Sequence, residues 1–258
     1  MVDVSFIIPI FNDEKYIYRI VDNIRRQNIS NYEIIFVDDG STDASQKRIN
    51  EINDKNIKYV KNATNCGPGF SRNKGLKVAT GNYVRFVDAD DLLPGNSTNE
   101  LLKLAMLYNA KVVRGSYICV DELNRTLFEK RIDKLTVITS NSLSDLILKA
   151  LDGHWCYLIK RNFLINNKLH YAEGMTRGED AYLLQEILRK KEKIVYSPII
   201  CYKYVNLNTG ERLTNKRDWR APVEFNILLS KFFDISKEIN RGDLFYKRFD
   251  NDFDFIYK

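Results

Sequence analysis

NYVRFVDADDLLPG occupies residues 82–95. A run of strand length, 82–88, feeds straight into the acidic step Asp88-Ala89-Asp90-Asp91. In an open α/β sheet, ligands sit beyond the carboxyl ends of the strands, which is where these acids would lie. The rest of 1–115 repeats the pattern. VSFIIPI (4–10), EIIFVDDG (33–40) and IKYV (57–60) read as strands. Between them, Tyr16, Ile17, Ile20, Val21 and Ile24 recur at helical spacing, and STDASQKRINEIN (41–53) opens with helix-capping residues. SRNKGLKVATG (71–81) reads as a helix closed by Gly81, and STNELLKLAMLYN (97–109) as another. Continuous apolar strands alternating with helices predict a mainly parallel sheet covered on both faces.

The second half is less regular. VVRGSYICVD (112–121) and TLFEKRIDKLTVI (126–138) read as strands of a mixed extension, and 142–151 and 179–192 as helices. IVYSPIICYKYV (194–205) reads as a strand broken by Pro198, and the tail carries a further helix. With 258 residues, 44% hydrophobic content and no Pro/Gly/Ser-rich linker, the chain predicts one continuous globular unit. No window holds the roughly 18 consecutive apolar residues that a membrane span needs. The apolar start lacks a basic flank and a cleavage site, so the expected location is the cytoplasm. The four cysteines form no CxxC pair, and two histidines cannot build a metal site alone. A net charge of +6 suits an anionic partner or an ordinary lysine-rich surface.

Each motif has two readings. Asp88 and Asp90 stand two apart, which on an extended chain puts both on one side. A hard divalent cation takes one or two carboxylates and fills its shell with water and phosphate oxygens. The other reading is a turn with an aspartate cap. The Asp38-Asp39-Gly40 step suits a nucleobase N–H or a ribose hydroxyl, or else a turn, with Ser41, Thr42 or Asp43 capping the next helix. No GxGxxG follows the first strand and no GxxxxGK[ST] is present. Gly67-Pro68-Gly69 reads as a turn before a helix, with Arg72 either facing an anion or exposed. Glu179-Asp180 opens a helix, where the dipole stabilises acids, or supplies a carboxylate base to a cleft.

Taken together, FIIPIFNDEKYI (6–17), EIIFVDDGSTD (33–43), NCGPGFSRNKGLKVATGNYVRFVDADD (65–91) and RGED (177–180) resemble the family 2 glycosyltransferases with a GT-A, Rossmann-like fold. The resemblance is strong over 1–115, fair over 116–205 and absent from the tail. It implies a glycosyltransferase domain at 1–205, with a nucleotide-binding half (1–115) and an acceptor-binding half (116–205), followed by a helical, aromatic tail at 206–258. It further implies that Pro9, Phe11 and Glu14 line the base and ribose pocket, and that Asp39 binds uracil with Asp38 beside it. Arg72 and Asn73 would flank the nucleotide. Asp88 would contact ribose or sugar, next to Ala89. Asp90 would be the ligand for Mn2+ or Mg2+ on the diphosphate, with Asp88 and Asp91 assisting. Asp180 would be the general base of an inverting transfer, supported by Glu179, and His154 and Trp155 would line the acceptor side. The implied partners are a UDP-sugar and a saccharide or lipid-linked acceptor of cell-surface polysaccharide synthesis, with no nucleic acid.

Two other classes compete. A sugar nucleotidyltransferase also pairs acids on such a sheet, but usually shows a Gly-rich basic loop where this chain has Asn12-Asp13-Glu14. A non-catalytic nucleic-acid binder would suit the basic charge, but no RNP-like or helix-turn-helix pattern is present. The tail's mix of Lys231, Phe232, Phe233, Lys237, Phe245, Tyr246, Lys247, Arg248 and Phe249 suits docking on an anionic inner membrane face. Packing on the core or on a second copy of the chain suits it better still.

Overall fold

The structure, a computed structural model, describes residues 1–139, 153–175, 178–206 and 234. The helix expected over 142–151 lies outside the described residues, as does the tail expected over 206–258 apart from Asn206 and Asp234. In the first half, β1 (Val4–Ile10), β2 (Tyr32–Asp38), β3 (Ile57–Lys61) and β4 (Tyr83–Phe86) run parallel in the order β3-β2-β1-β4. Phe6, Ile7 and Ile8 of β1 are fully buried, as a strand covered on both faces requires. The intervening helices are α1 (Ile17–Arg25), α2 (Ser45–Glu51) and α3 (Pro68–Val78), with α4 (Ser97–Leu107) after β4. Ile17, Ile20, Val21 and Ile24 form the buried stripe of α1.

Two local expectations are corrected. Helix α3 starts at Pro68, three residues before the sequence reading, because proline fits the first turn, where its missing N–H is not needed. Gly81 does not close that helix. It lies where a Cβ would stand 2.6 Å from Ser5 Oγ, and its N–H donates to that oxygen at 2.9 Å. Gly75 does for α3 what the pattern did not disclose: a Cβ there would meet Ile7 Cγ2 at 2.4 Å, so the helix can lie directly on β1.

The second half continues the same sheet in mixed fashion. It contains β5 (Val112–Asp121), β6 (Thr126–Lys130), β7 (Thr136–Ile138), β8 (Tyr157–Lys160) and β9 (Ile194–Asn206). Among the described residues the full order is β3-β2-β1-β4-β8-β5-β9-β7, with β6 on β5. The sheet is open, with helices on both sides. The stretch expected as one strand over 126–138 is two, β6 and β7, on different partners. The short strand β8, unread in the sequence, joins the halves by pairing antiparallel with both β4 and β5. A 3-10 turn (His154–Cys156) precedes it, and α5 (Arg161–Asn166) and α6 (Glu179–Arg189) follow. Pro198 does not break β9. Residues 197–199 bulge opposite Gly115 of β5, so the missing proline N–H falls where no ladder bond is needed. Arg85, fully buried on β4, donates to Thr98 Oγ1 and the Cys201 carbonyl, tying α4 and β9 to the centre of the sheet.

Candidate active site

The loops after β1 and β2 are joined side by side. Asn12, at φ 57°, accepts through Oδ1 from the Thr42 N–H at 2.8 Å, and its own N–H donates to Ser41 Oγ at 3.0 Å. The Asp13 N–H donates to Ser45 Oγ at 3.1 Å and the Glu14 N–H to Asp43 Oδ2 at 3.0 Å. Glu14 returns the contact by accepting from the Ala44 N–H at 3.0 Å. All three residues expected to cap α2, Ser41, Thr42 and Asp43, serve this junction. Asp43 takes the Ser45 N–H at 2.9 Å. Pro9 stays half-buried on β1, opposite Val37, while Phe11 is exposed.

Asp38 and Asp39 are both buried. Asp38 accepts from the Ser41 N–H at 2.7 Å and the Tyr59 hydroxyl at 2.5 Å. Asp39 Oδ1 accepts from Asn62 Nδ2 (2.7 Å) and the Cys66 N–H (2.9 Å), and Oδ2 from the Gly67 N–H (2.8 Å). Asp39 therefore holds the loop that delivers α3.

The three acids after β4 separate. Asp91 is fully buried, and its oxygens accept from the Tyr202 hydroxyl and the Val205 N–H, each at 2.8 Å. It latches β9 to the site's floor. Asp88 and Asp90 are half-buried beside the buried Ala89. Asp88 accepts from Arg72, and the Asp90 carbonyl accepts from Arg19 Nη2 at 2.6 Å. The sequence reading missed Asp13. Burial, with Asp90, Asp43 and Asp88 close by, raises its pKa to about 7 against the opposing pull of the Phe11 N–H. Its only sequence signal was its place behind β1, at the same sheet edge as the other acids. Among the described residues no three of His, Cys, Asp and Glu converge enough to cage a metal. The donors present are nonetheless all carboxylates, the chemistry that suits Mg2+ or Mn2+ completed by phosphate oxygens and water.

Arg72 connects the two halves. It is buried, not exposed, and its guanidinium donates from Nη1 to Glu179 Oε1 (2.7 Å) and from Nη2 to Asp88 Oδ1 (2.8 Å). Its centre lies 5.3 Å from the Tyr171 ring centroid. Asn73, also buried, clamps the segment after α5. Its Nδ2 donates to the Tyr171 carbonyl (3.0 Å) and to Glu173 Oε1 (2.9 Å), and its Oδ1 accepts the Tyr171 N–H (2.9 Å).

Gly178, at φ 78°, turns the chain into α6, whose first two residues are Glu179 and Asp180. The pair is driven apart electrically. Burial, then the Asp180 charge, raises Glu179 even though Arg72 pulls the other way. Burial also opposes the charge on Asp180, but the His154 contact, Arg72 and the Ala181 N–H outweigh it and hold the carboxyl well below its usual range. Asp180 is half-buried, with Oδ2 3.4 Å from His154 Nδ1. His154 and Trp155 diverge. His154 meets Asp180, whereas Trp155 stacks on Tyr202 at 4.4 Å and meets Tyr117 edge-on at 4.7 Å.

Comparison with known proteins gives a consistent result. The family described as Glycosyl transferase family 2 matches residues 5–190. Glycosyltransferase GlyA of Streptococcus pneumoniae serotype 4 is 32% identical over 213 residues, which cover 78% of this chain and 30% of GlyA. A poly(ribitol-phosphate) beta-glucosyltransferase of Bacillus spizizenii is 27% identical over 224 residues, covering 82% of this chain and 33% of that protein. The chain thus spans about a third of the length of these two curated relatives. The crystal structure of S. aureus TarS 1–349 in complex with UDP-GlcNAc superposes with a TM-score of 0.84 at 22% identity. That match covers 98% of this chain and 73% of the other.

Proposed function

The chain belongs to glycosyl transferase family 2, and on that premise we propose that it moves a sugar from a UDP-sugar to a hydroxyl of a saccharide or lipid-linked acceptor during cell-surface polymer synthesis, with inversion at the anomeric carbon. The names of the relatives and the UDP-GlcNAc bound by the TarS neighbour support the substrate class. The observation that carries the reading is the placement of Asp180 at the start of α6, 3.4 Å from His154, beside the Glu179–Arg72–Asp88 chain of contacts that leads to the acids beyond β4.

In this reading Asp39, backed by Asp38, takes the uracil N–H, and Pro9, Phe11 and Glu14 wall the base and ribose. Asp88, beside Ala89, contacts the ribose or the sugar, while Arg72 and Asn73 keep the floor of the site and the Tyr171 segment in place. Asp90, with Asp88, would hold Mn2+ or Mg2+, which when bound supplies positive charge to the leaving diphosphate. A sugar hydroxyl is a poor nucleophile at neutral pH. Asp180 accepts its proton as the oxygen attacks the anomeric carbon and the UDP departs from the opposite face. Glu179, held by Arg72, fixes the first turn of α6.

Incubation with a panel of UDP-sugars and Mn2+, read as free UDP, tests the proposal. Asp180→Asn is expected to lower turnover by ~10²-fold or more while UDP affinity is retained. Wild-type turnover by that variant, or pyrophosphate formed from UTP and a sugar phosphate with no UDP released from any donor, would overturn it.

A further inference from the structure

His154 is poorly placed to receive a sugar. It is 3% exposed, and Phe86 and Tyr171 meet its ring edge-on with centroids at 6.1 and 5.4 Å. Two features of its surroundings favour the hydrogen on Nδ1. A carboxylate only accepts, so a hydrogen bond across the 3.4 Å contact with Asp180 Oδ2 takes its hydrogen from Nδ1. The other nitrogen, Nε2, is buried without a partner among the described residues. With the hydrogen on Nδ1, what is left there is a bare lone pair, less costly in apolar surroundings than an orphaned N–H.

Asp180 needs such a partner. It stands in the first turn of α6, where a half-buried carboxylate could swing among the free helix N–H groups. The Ala181 N–H already takes Oδ1 at 2.8 Å, and His154 takes Oδ2, so the two contacts together define the plane of the carboxylate. The two ring neighbours hold the imidazole itself.

We propose that His154 is a positioning residue, its Nδ1–H holding the Asp180 carboxylate in the single orientation that meets the acceptor hydroxyl. This deepens the reading of Asp180 as general base and rests on it.

The test compares His154→Ala, His154→Asn and His154→Gln in the full chain, with kcat and KM read from UDP release across a panel of UDP-hexoses and UDP-N-acetylhexosamines with Mn2+. The asparagine amide nitrogen falls where Nδ1 stands, and the glutamine amide nitrogen where Nε2 stands. His154→Ala is expected to lower kcat roughly ten- to hundredfold, the worth of one hydrogen bond to a charged group, with donor KM nearly unchanged. His154→Asn recovers most of that loss and His154→Gln does not. On an Asp180→Asn background, His154→Ala adds no further loss. Equal activity of the Asn and Gln variants, wild-type kcat in His154→Ala, or loss of calorimetric UDP binding in all three would overturn the inference. The last result would make His154 a packing residue. A wild-type protein that releases UDP from no donor would instead remove the transferase reading, and this inference with it.

Discussion

Arg72→Met removes the guanidinium shared by Glu179 and Asp88 while keeping much of the aliphatic stem. The two acids are not stranded equally. Asp88 keeps 28% of its side chain in solvent, so water can replace the lost donor, whereas Glu179 keeps 10%. Removing one partner of a buried ion pair costs about 3–5 kcal/mol. Glu179 has a cheaper exit, which is to take up a proton. For a carboxyl of ordinary pKa 4.5 that costs about 3.4 kcal/mol at pH 7, at ~1.36 kcal/mol per unit. Because burial and Asp180 already raise Glu179, this figure is a ceiling. The lost contact of Arg72 with the Tyr171 ring adds ~1 kcal/mol. The expected loss is therefore about 2–4 kcal/mol by urea unfolding near neutral pH. The sign of its pH dependence follows. A carboxyl raised in the folded state contributes fully below its unfolded pKa and less as pH rises, so the gap to wild type widens between about pH 5 and pH 7. Adding Glu179→Gln removes that slope and recovers part of the stability. A loss below about 1 kcal/mol, or a gap independent of pH, would refute the view that Arg72 neutralises a buried acid.

Three further outcomes follow from the same geometry. Asp13, raised to about 7, gives stability that is present at low pH and lost as pH rises through neutrality. The thermal midpoint in chelator should therefore fall from about pH 5 to pH 8, and Asp13→Asn should flatten that fall. Tyr202→Phe deprives Asp91 Oδ2 and the Asp88 N–H of their shared hydroxyl. It is expected to cost about 1–3 kcal/mol in denaturant unfolding without changing the response to Mn2+. Gly75→Ala pushes a methyl into Ile7 and is expected to cost about 1–3 kcal/mol by the same assay, whereas an unchanged midpoint would mean that α3 can move off β1.

The first half of the fold was legible because its strands are short, apolar and ended by acids or turn residues. VSFIIPI matched β1 to the residue, and Asp38, Asp39, Asp88, Asp90 and Asp180 drew notice in the sequence because the first four follow apolar strands and the last opens a helix. The second half resisted for identifiable reasons. Strand β8 has four residues and no alternation, so pairing on both sides, not pattern, makes it a strand. Pro198 read as a break because a bulge cannot be seen without the partner strand. Within the site, a local pattern could not disclose a contact such as Arg72 to Glu179, 107 residues apart. Nor could it tell that Asp91 meets Tyr202, 111 residues later in the chain. His154 was picked for its segment, but its partner Asp180 is supplied by a different element.

The most direct test of the account is calorimetric titration of UDP into the protein with Mn2+, with chelator, and with Mn2+ after Asp90→Asn. The account predicts saturable binding in the first case and strong weakening in the other two. UDP uptake that is absent with Mn2+, or unaffected by chelator and by Asp90→Asn, would contradict it.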